Sequence, residues 1–183
     1  MMPAMTASPN KHAAMIAPSP WVVRHLPLVA AGGRVLDLAC GNGRHARLFA
    51  TAGYAVLAVD RDFAAISGLQ GMLGITALQF DLETGDWPLA GERFAGVVVA
   101  NYLWRPRLPD VCALLGNGGI LIYETFMVGN EAYGKPSSPE FLLRPGELRA
   151  VAGAAGLREI AFAEGYVDSP KPALRQAICA VRE

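Results

Sequence analysis

From Arg34 onward the apolar and polar positions fall into short blocks whose period switches back and forth between strand and helix. RVLDLA (34–39) is a compact apolar run, closed by Gly41-Asn42-Gly43, and RHARLFATAG (44–53) then spaces its apolar residues as a helix does, up to Gly53. AVLAVD (55–60) reads as a second strand and DFAAISGLQGML (62–73) as a helix weakened by Gly68 and Gly71. ITALQFD (75–81) is a third strand, followed by a loop through Trp87-Pro88. FAGVVVAN (94–101) is the most apolar block, as expected of a strand covered on both faces. RPRLPDVCALLGNGG (105–119) carries a helix that starts after Pro109, and ILIYETF (120–126) is a fifth strand.

The last third departs from this alternation. PSSPEFLLRPGELRAVAGAAG (136–156) predicts a loop and then a helix, with Pro145 near its first turn and Gly156 near its end. LREIAFAEGYV (157–167) and ALRQAICAVRE (173–183) flank DSPKP, which is too short to hold a crossover helix, so these two strands pair antiparallel. The pattern predicts an α/β fold: a Rossmann-like, doubly wound, seven-stranded sheet, mostly parallel, with a C-terminal antiparallel hairpin.

Before the first strand, WVVRHLPLVAAGG (21–33) predicts a short leading helix, while residues 1–20, with Pro3, Pro9, Pro18 and Pro20, predict a flexible arm. The expected organisation is thus an arm over 1–20 and one domain over 21–183. At 183 residues the chain has the length of a single domain, and a hydrophobic share of 52% against 17% charged excludes a disordered protein. Sixteen basic and sixteen acidic residues give a net charge of +0, which disfavours nucleic acid as a partner because phosphate neutralisation calls for a basic excess. Cys40, Cys112 and Cys179 are scattered and form no CxxC pair, and three histidines without ligand spacing offer no metal site. A reducing cytoplasm fits, as does the lack of a signal-peptide pattern or a membrane-length apolar run. So few charges on so apolar a chain also allow a homodimer.

The chemistry concentrates in VLDLACGNGRHA (35–46), where a strand enters a glycine turn and a helix begins. Gly41 and Gly43 permit close backbone approach, and the helix start offers unpaired N–H groups to an anion. Gly41 to Ala46 also satisfies G-x-G-x-x-A, so a dinucleotide site stays open at this point. Asp37 argues otherwise. An acid inside the strand is costly unless a donor or cation meets it, and the ammonium of an amino-acid moiety would be such a partner. Asp60, at the carboxyl end of the second strand, lies where doubly wound folds bind ligands, although its spacing suits NAD equally.

Residues 34–124 resemble the class I S-adenosylmethionine-dependent methyltransferases. LDLACGNGR (36–44) is similar to that family's first motif, LAVDRD (57–62) to its second-strand acid, FDLE (80–83) to its third-strand acidic motif and VVVANYLW (97–104) to its fourth strand. Within the family the sequence is most similar to small-molecule enzymes of the tellurite-resistance and thiopurine types. The resemblance implies S-adenosylmethionine as cofactor. It implies that Asp37 and the backbone from Ala39 through Gly41, Asn42 and Gly43, with Arg44, hold the methionine portion. Asp60 would accept both ribose hydroxyls, with the adjoining Arg61 also binding the cofactor, Asp81 with the Leu82 backbone would make the adenine contact, and Asn101 with Tyr102 would wall the transferable methyl.

Asn101-Tyr102-Leu103-Trp104 keeps the first and last residue types of the N-P-P-Y/W motif of methyltransferases acting on amino groups of bases and glutamine, but lacks both prolines. That departure disfavours nucleic-acid and protein amides and leaves Trp104 as an aromatic wall. MVGNEAYGKPSSPEF (127–141) is a long irregular connection, and such loops often carry function. Glu124, Glu131 and Tyr133 are therefore the expected acceptor-pocket residues, with Glu124, Tyr133 or His45 available to manage a proton. For His45, a surface position outweighs a role as base. The predicted activity is methyl transfer to a sulfur, oxygen, nitrogen, selenium or tellurium nucleophile on a small molecule. A nicotinamide-dependent oxidoreductase and a catalytically silent S-adenosylmethionine-binding module are the alternatives.

Overall fold

The computed structural model describes residues 17–183, so the arm expected over 1–20 lies, for residues 1–16, outside the described residues. The elements follow in the order α1 (Pro20–His25), β1 (Arg34–Leu38), α2 (Arg44–Thr51), β2 (Ala55–Asp60), α3 (Phe63–Ile66), β3 (Ile75–Gln79), β4 (Phe94–Ala100), α4 (Leu108–Ala113), β5 (Leu115–Phe126), α5 (Glu147–Ala154), β6 (Leu157–Val167) and β7 (Ala173–Arg182). They build one seven-stranded sheet in the order β3-β2-β1-β4-β5-β7-β6. The first five strands are parallel, and β7 runs antiparallel to both β5 and β6.

Side chains alternate across the strands and divide the core into two layers. Leu36, Leu38, Leu57, Val59, Val97 and Val99 pack on the face covered by Leu108 and Val111 of α4 and Leu148 of α5. Val35, Val56, Ala58, Val98 and Ile122 face the opposite layer, with Val22 of α1, Phe49 of α2 and Ile66 of α3. Burial on both faces explains why β4 reads as a continuous apolar run.

Several boundaries differ from the sequence pattern. The α-helix at Phe63 ends at Ile66 and passes into a 3-10 turn, Ser67–Leu69, because Gly68 and Gly71 weaken its continuation. Helix α4 begins at Leu108, and Pro109 sits in its first turn, where the missing N–H has no intrahelical partner to lose. Strand β5 begins at Leu115, opposite Phe94, and shifts register before Ile120 joins Gly96.

The end of the expected arm is folded. Ser19 accepts from the Trp21 N–H at 3.1 Å and caps α1. Its own N–H donates to His45 Nε2 at 3.1 Å, and Arg44 Nη1 donates to the Ala17 carbonyl at 3.2 Å. Trp21 Nε1 donates to the Ile178 carbonyl of β7 at 3.2 Å. Residues 17–20 thus belong to the domain, held by contacts that the proline content of the segment does not reveal.

Candidate active site

Three residues in the left-handed region shape the turn after β1: Ala39 (φ 52), Gly41 (φ 53) and Gly43 (φ 71). Glycine is required at 43 for a second reason, since a Cβ there would meet Leu69 Cδ1 at 2.5 Å. The turn hangs from two carboxylates. Asp37, 2% exposed in β1, accepts from the Ala46 N–H of α2 at 2.8 Å. Asp60, at the end of β2, accepts from the Gly41 N–H at 2.7 Å and the Asp62 N–H at 2.9 Å. Burial pushes Asp37 up from 3.8 to about 7, against the opposing pull of the Ala46 N–H and the Arg44 charge. It is an acid buried with one backbone donor, and a cation beside it would restore its ionised form.

Strand β4 ends as β1 does, on a left-handed residue, Asn101 (φ 59), whose N–H donates to the Glu124 carbonyl at 3.0 Å. Strained non-glycine residues cost about 1–3 kcal/mol each and concentrate at functional sites. Ala39 and Asn101 end neighbouring strands at the point where the strand order reverses, the usual ligand crevice of such sheets. Both line two cavities that meet there. One, of about 210 Å³, is bounded by Asp60, Arg61, Asp81, Leu82, Glu83 and Tyr102. The other, of about 390 Å³, is bounded by Asp37, Cys40, Asn42, Arg44 and His45 and closed on one side by Ala17 and Pro18. Tyr102 Oη is buried and finds no hydrogen-bond partner among the described residues. Burial, then Glu83 and Asp81, raises its pKa, so it remains a donor in need of an acceptor. Asp81 accepts from the Glu83 N–H at 2.9 Å, a turn-forming contact, and still borders the first cavity.

The remaining expected residues divide. His45 is buried, not on the surface, and its Nε2 already accepts from Ser19. Burial, then the Arg44 charge, lowers it to about 3, so it stays neutral and anchors the entering chain. Glu124 is buried in β5 within 3.6 Å of the Arg175 guanidinium. Glu131 accepts from the Gly129 N–H at 2.8 Å, and Tyr133 packs its ring on Tyr166 of β6 at 5.4 Å. Neither borders the two cavities, because Asn130 ties the loop to Leu174 of β7 at 3.1 Å and carries it toward the hairpin, away from the crevice. Trp104 is half-buried at the start of the 3-10 turn Arg105–Arg107 and borders neither cavity. Sequence reasoning missed Ala17, Pro18, Glu83 and Arg175. For Arg175 a signal existed, an arginine next to Gln176 in a strand whose following residues, Ala177 to Val181, are all apolar.

Residues 35–119, the span from β1 to the start of β5, match the family model described as a methyltransferase domain. Over that span the chain carries a methyltransferase domain, which supports the class I S-adenosylmethionine-dependent methyltransferase reading. A curated relative, the tRNA U34 carboxymethyltransferase of Methylococcus capsulatus, is 32% identical over 122 residues. That match takes in 60% of this chain and 37% of the relative, so the chain spans little more than a third of the relative's length. Among solved structures, TehB from Haemophilus influenzae superposes with a TM-score of 0.73 at 19% identity, over 88% of this chain and 61% of that one. A methyltransferase from Mesorhizobium loti gives 0.69 at 17%, over 89% and 96%. The magnesium protoporphyrin IX methyltransferase ChlM of Synechocystis, solved with bound SAH, gives 0.66 at 17%, over 89% and 79%. These three share the methyltransferase fold with the chain.

Proposed function

We propose that the protein transfers the methyl group of S-adenosylmethionine to a nucleophile on a small molecule. One observation carries the reading: two cavities, one bordered by Asp37 inside β1 and the other by Asp60 at the end of β2, share the left-handed residues Ala39 and Asn101. The donor fits the residues present. Asp37 suits its ammonium, Asp60 its ribose hydroxyls and Asp81 with Leu82 its adenine, while the orphaned Tyr102 hydroxyl gains an acceptor. When bound, the donor supplies an electrophilic sulfonium methyl. A pyrophosphate beside buried Asp37 would hold that carboxyl protonated and find no cationic partner in it, which speaks against a nicotinamide cofactor.

The chain's own contribution is positioning and exclusion of water. The glycine turn and Asp60 fix the crevice floor, and Ala17 and Pro18, latched by Arg44 and His45, cover one side of it. Holding reactants in near-attack geometry can supply several kcal/mol, on the order of 7–11 in favourable cases. Proton removal has little support, since His45 is engaged as a neutral acceptor and Glu124 is paired with Arg175. A nucleophile that needs no base suits the site best. A small acceptor is favoured by the net charge of +0, which offers nothing to a polyanion at large.

The test is calorimetry with S-adenosylmethionine, S-adenosylhomocysteine and NADH, then transfer of labelled methyl to thiols, phenols, carboxylates, amines and bulk tRNA. Binding of both sulfur compounds and label on a small acceptor is expected. Binding of NADH alone overturns the reading, and label found only in tRNA overturns the acceptor class. Donor binding without transfer to anything would make the chain a binding module.

A further inference from the structure

Arg175 is a largely buried charge that borders neither cavity itself and reaches the crevice through Asn101, and the donor contacts leave it unused. It lies third in β7, paired across the ladder with Phe126 of β5. Its guanidinium stacks on the Phe126 ring at 4.6 Å, approaches Glu124 Oε1 at 3.6 Å and donates from Nη2 to Asn101 Oδ1 at 2.7 Å. The side chain is only 17% exposed, so these contacts hold it in one place.

The last of them decides the chemistry of Asn101. A guanidinium only donates, so the amide oxygen of Asn101 must face Arg175 and its NH2 group is left over. Among the described residues no protein atom accepts from that Nδ2. Asn101 meanwhile borders both cavities at their junction. What the protein presents there is a donor backed by a cation.

We propose that Asn101 and Arg175 form a donor-only rim that selects methyl acceptors whose accepting group is anionic, an oxyanion, carboxylate or thiolate, and rejects amines. This rests on the methyltransferase reading and narrows its substrate class. An amine would set its own N–H groups or positive charge against the amide donor and the guanidinium. An anion accepts from the amide and is stabilised by the charge behind it. Arg44, whose charge reaches Arg175, adds to the positive field, and Glu124 offsets part of it. The acceptor's lone pair forms the new bond to the methyl carbon while the carbon–sulfur bond breaks and its electron pair stays on sulfur. An anionic acceptor thereby becomes neutral, and no proton has to be removed, in keeping with the engagement of His45 by Ser19 and of Glu124 by Arg175.

The experiment uses the full chain saturated with S-adenosylhomocysteine and titrated by calorimetry with benzoate and, separately, benzylamine. Benzoate is expected to bind and benzylamine not. In R175Q the benzoate affinity should fall at least about tenfold, with S-adenosylhomocysteine affinity within about twofold of the parent. N101D serves as the second variant. It tolerates the left-handed backbone and keeps an oxygen for Arg175, but turns an acceptor toward the cavity. It should lose benzoate and gain benzylamine, and it carries the test alone if R175Q does not fold. Unchanged benzoate affinity in both variants, or a parent protein that binds neither probe or prefers benzylamine, overturns the proposal. Failure of S-adenosylhomocysteine itself to bind, read in the first titration, overturns the methyltransferase reading instead and the proposal with it.

Discussion

Asp37→Asn should move stability and donor binding in opposite directions. Burial raises the carboxyl from 3.8 to about 7, and about three units at 1.36 kcal/mol each make ionisation in the unliganded fold cost about 4 kcal/mol. The folded carboxyl keeps its proton up to about pH 7 while the unfolded one releases it near 3.8. The folded state therefore binds more protons in this window, and stability falls as pH rises from about 4 to about 7. Asparagine is neutral throughout and its Oδ1 can still accept from the Ala46 N–H, so the variant escapes that slope. Its NH2 group needs a partner in a dry site, which takes back about half the gain at the 1–3 kcal/mol of an orphaned donor. At pH 8 the unliganded variant should outlast the parent by about 2 kcal/mol, or about 4–8 °C for a chain of this size. At pH 5, where the parent carboxyl is protonated, the advantage should shrink toward zero. Donor binding should run the other way. The ammonium needs the ionised acid, so the parent's affinity should rise with pH and level off above about 7, with about half a proton released per donor bound at pH 7. In the variant the lost charged hydrogen bond, about 1.5–3 kcal/mol, weakens binding about 10- to 150-fold at pH 8. Melting curves from pH 5 to 9 and calorimetry in two buffers of unlike ionisation heat measure both arms. A variant that melts below the parent by the same margin at every pH, or that binds the donor as well as the parent, refutes the reasoning.

Other expectations follow from single contacts. Ser19→Ala removes the α1 cap and should lower stability by about 1 kcal/mol, or about 2–4 °C in a thermal melt; no change would detach Ser19 from the fold. Gln176, wholly buried, accepts from the Leu148 N–H at 2.7 Å and donates to the Arg144 carbonyl at 3.1 Å. Gln176→Leu should therefore cost about 2–4 kcal/mol in urea unfolding by orphaning both groups, and a loss under about 1 kcal/mol would show that water replaces the amide. Tyr133→Phe should leave methyl transfer within about twofold, under about 0.5 kcal/mol of barrier, because the ring packs on Tyr166. A large drop in kcat would return Tyr133 to the chemistry.

What the sequence determined by itself is whatever depends on neighbours along the chain. Strand β4 is legible because burial on both faces leaves no polar alternation, and the turn at 41–43 because only glycine tolerates its backbone against Leu69. The antiparallel hairpin is legible because five residues cannot carry a crossover. The weight of Asp37 came from finding an acid where a strand should be apolar. The tertiary structure decided what rests on distant partners. His45 looks like a surface residue of a helix start until Ser19, 26 residues earlier, caps its ring. Tyr133 and Glu131 belong to a long loop after β5, but the tie between Asn130 and Leu174 takes that loop to the hairpin. Arg175 and Asn101 stand 74 residues apart. Only the antiparallel seating of β7 beside β5 brings the arginine to the strand ends, because a register slip of one residue would turn its side chain to the other face.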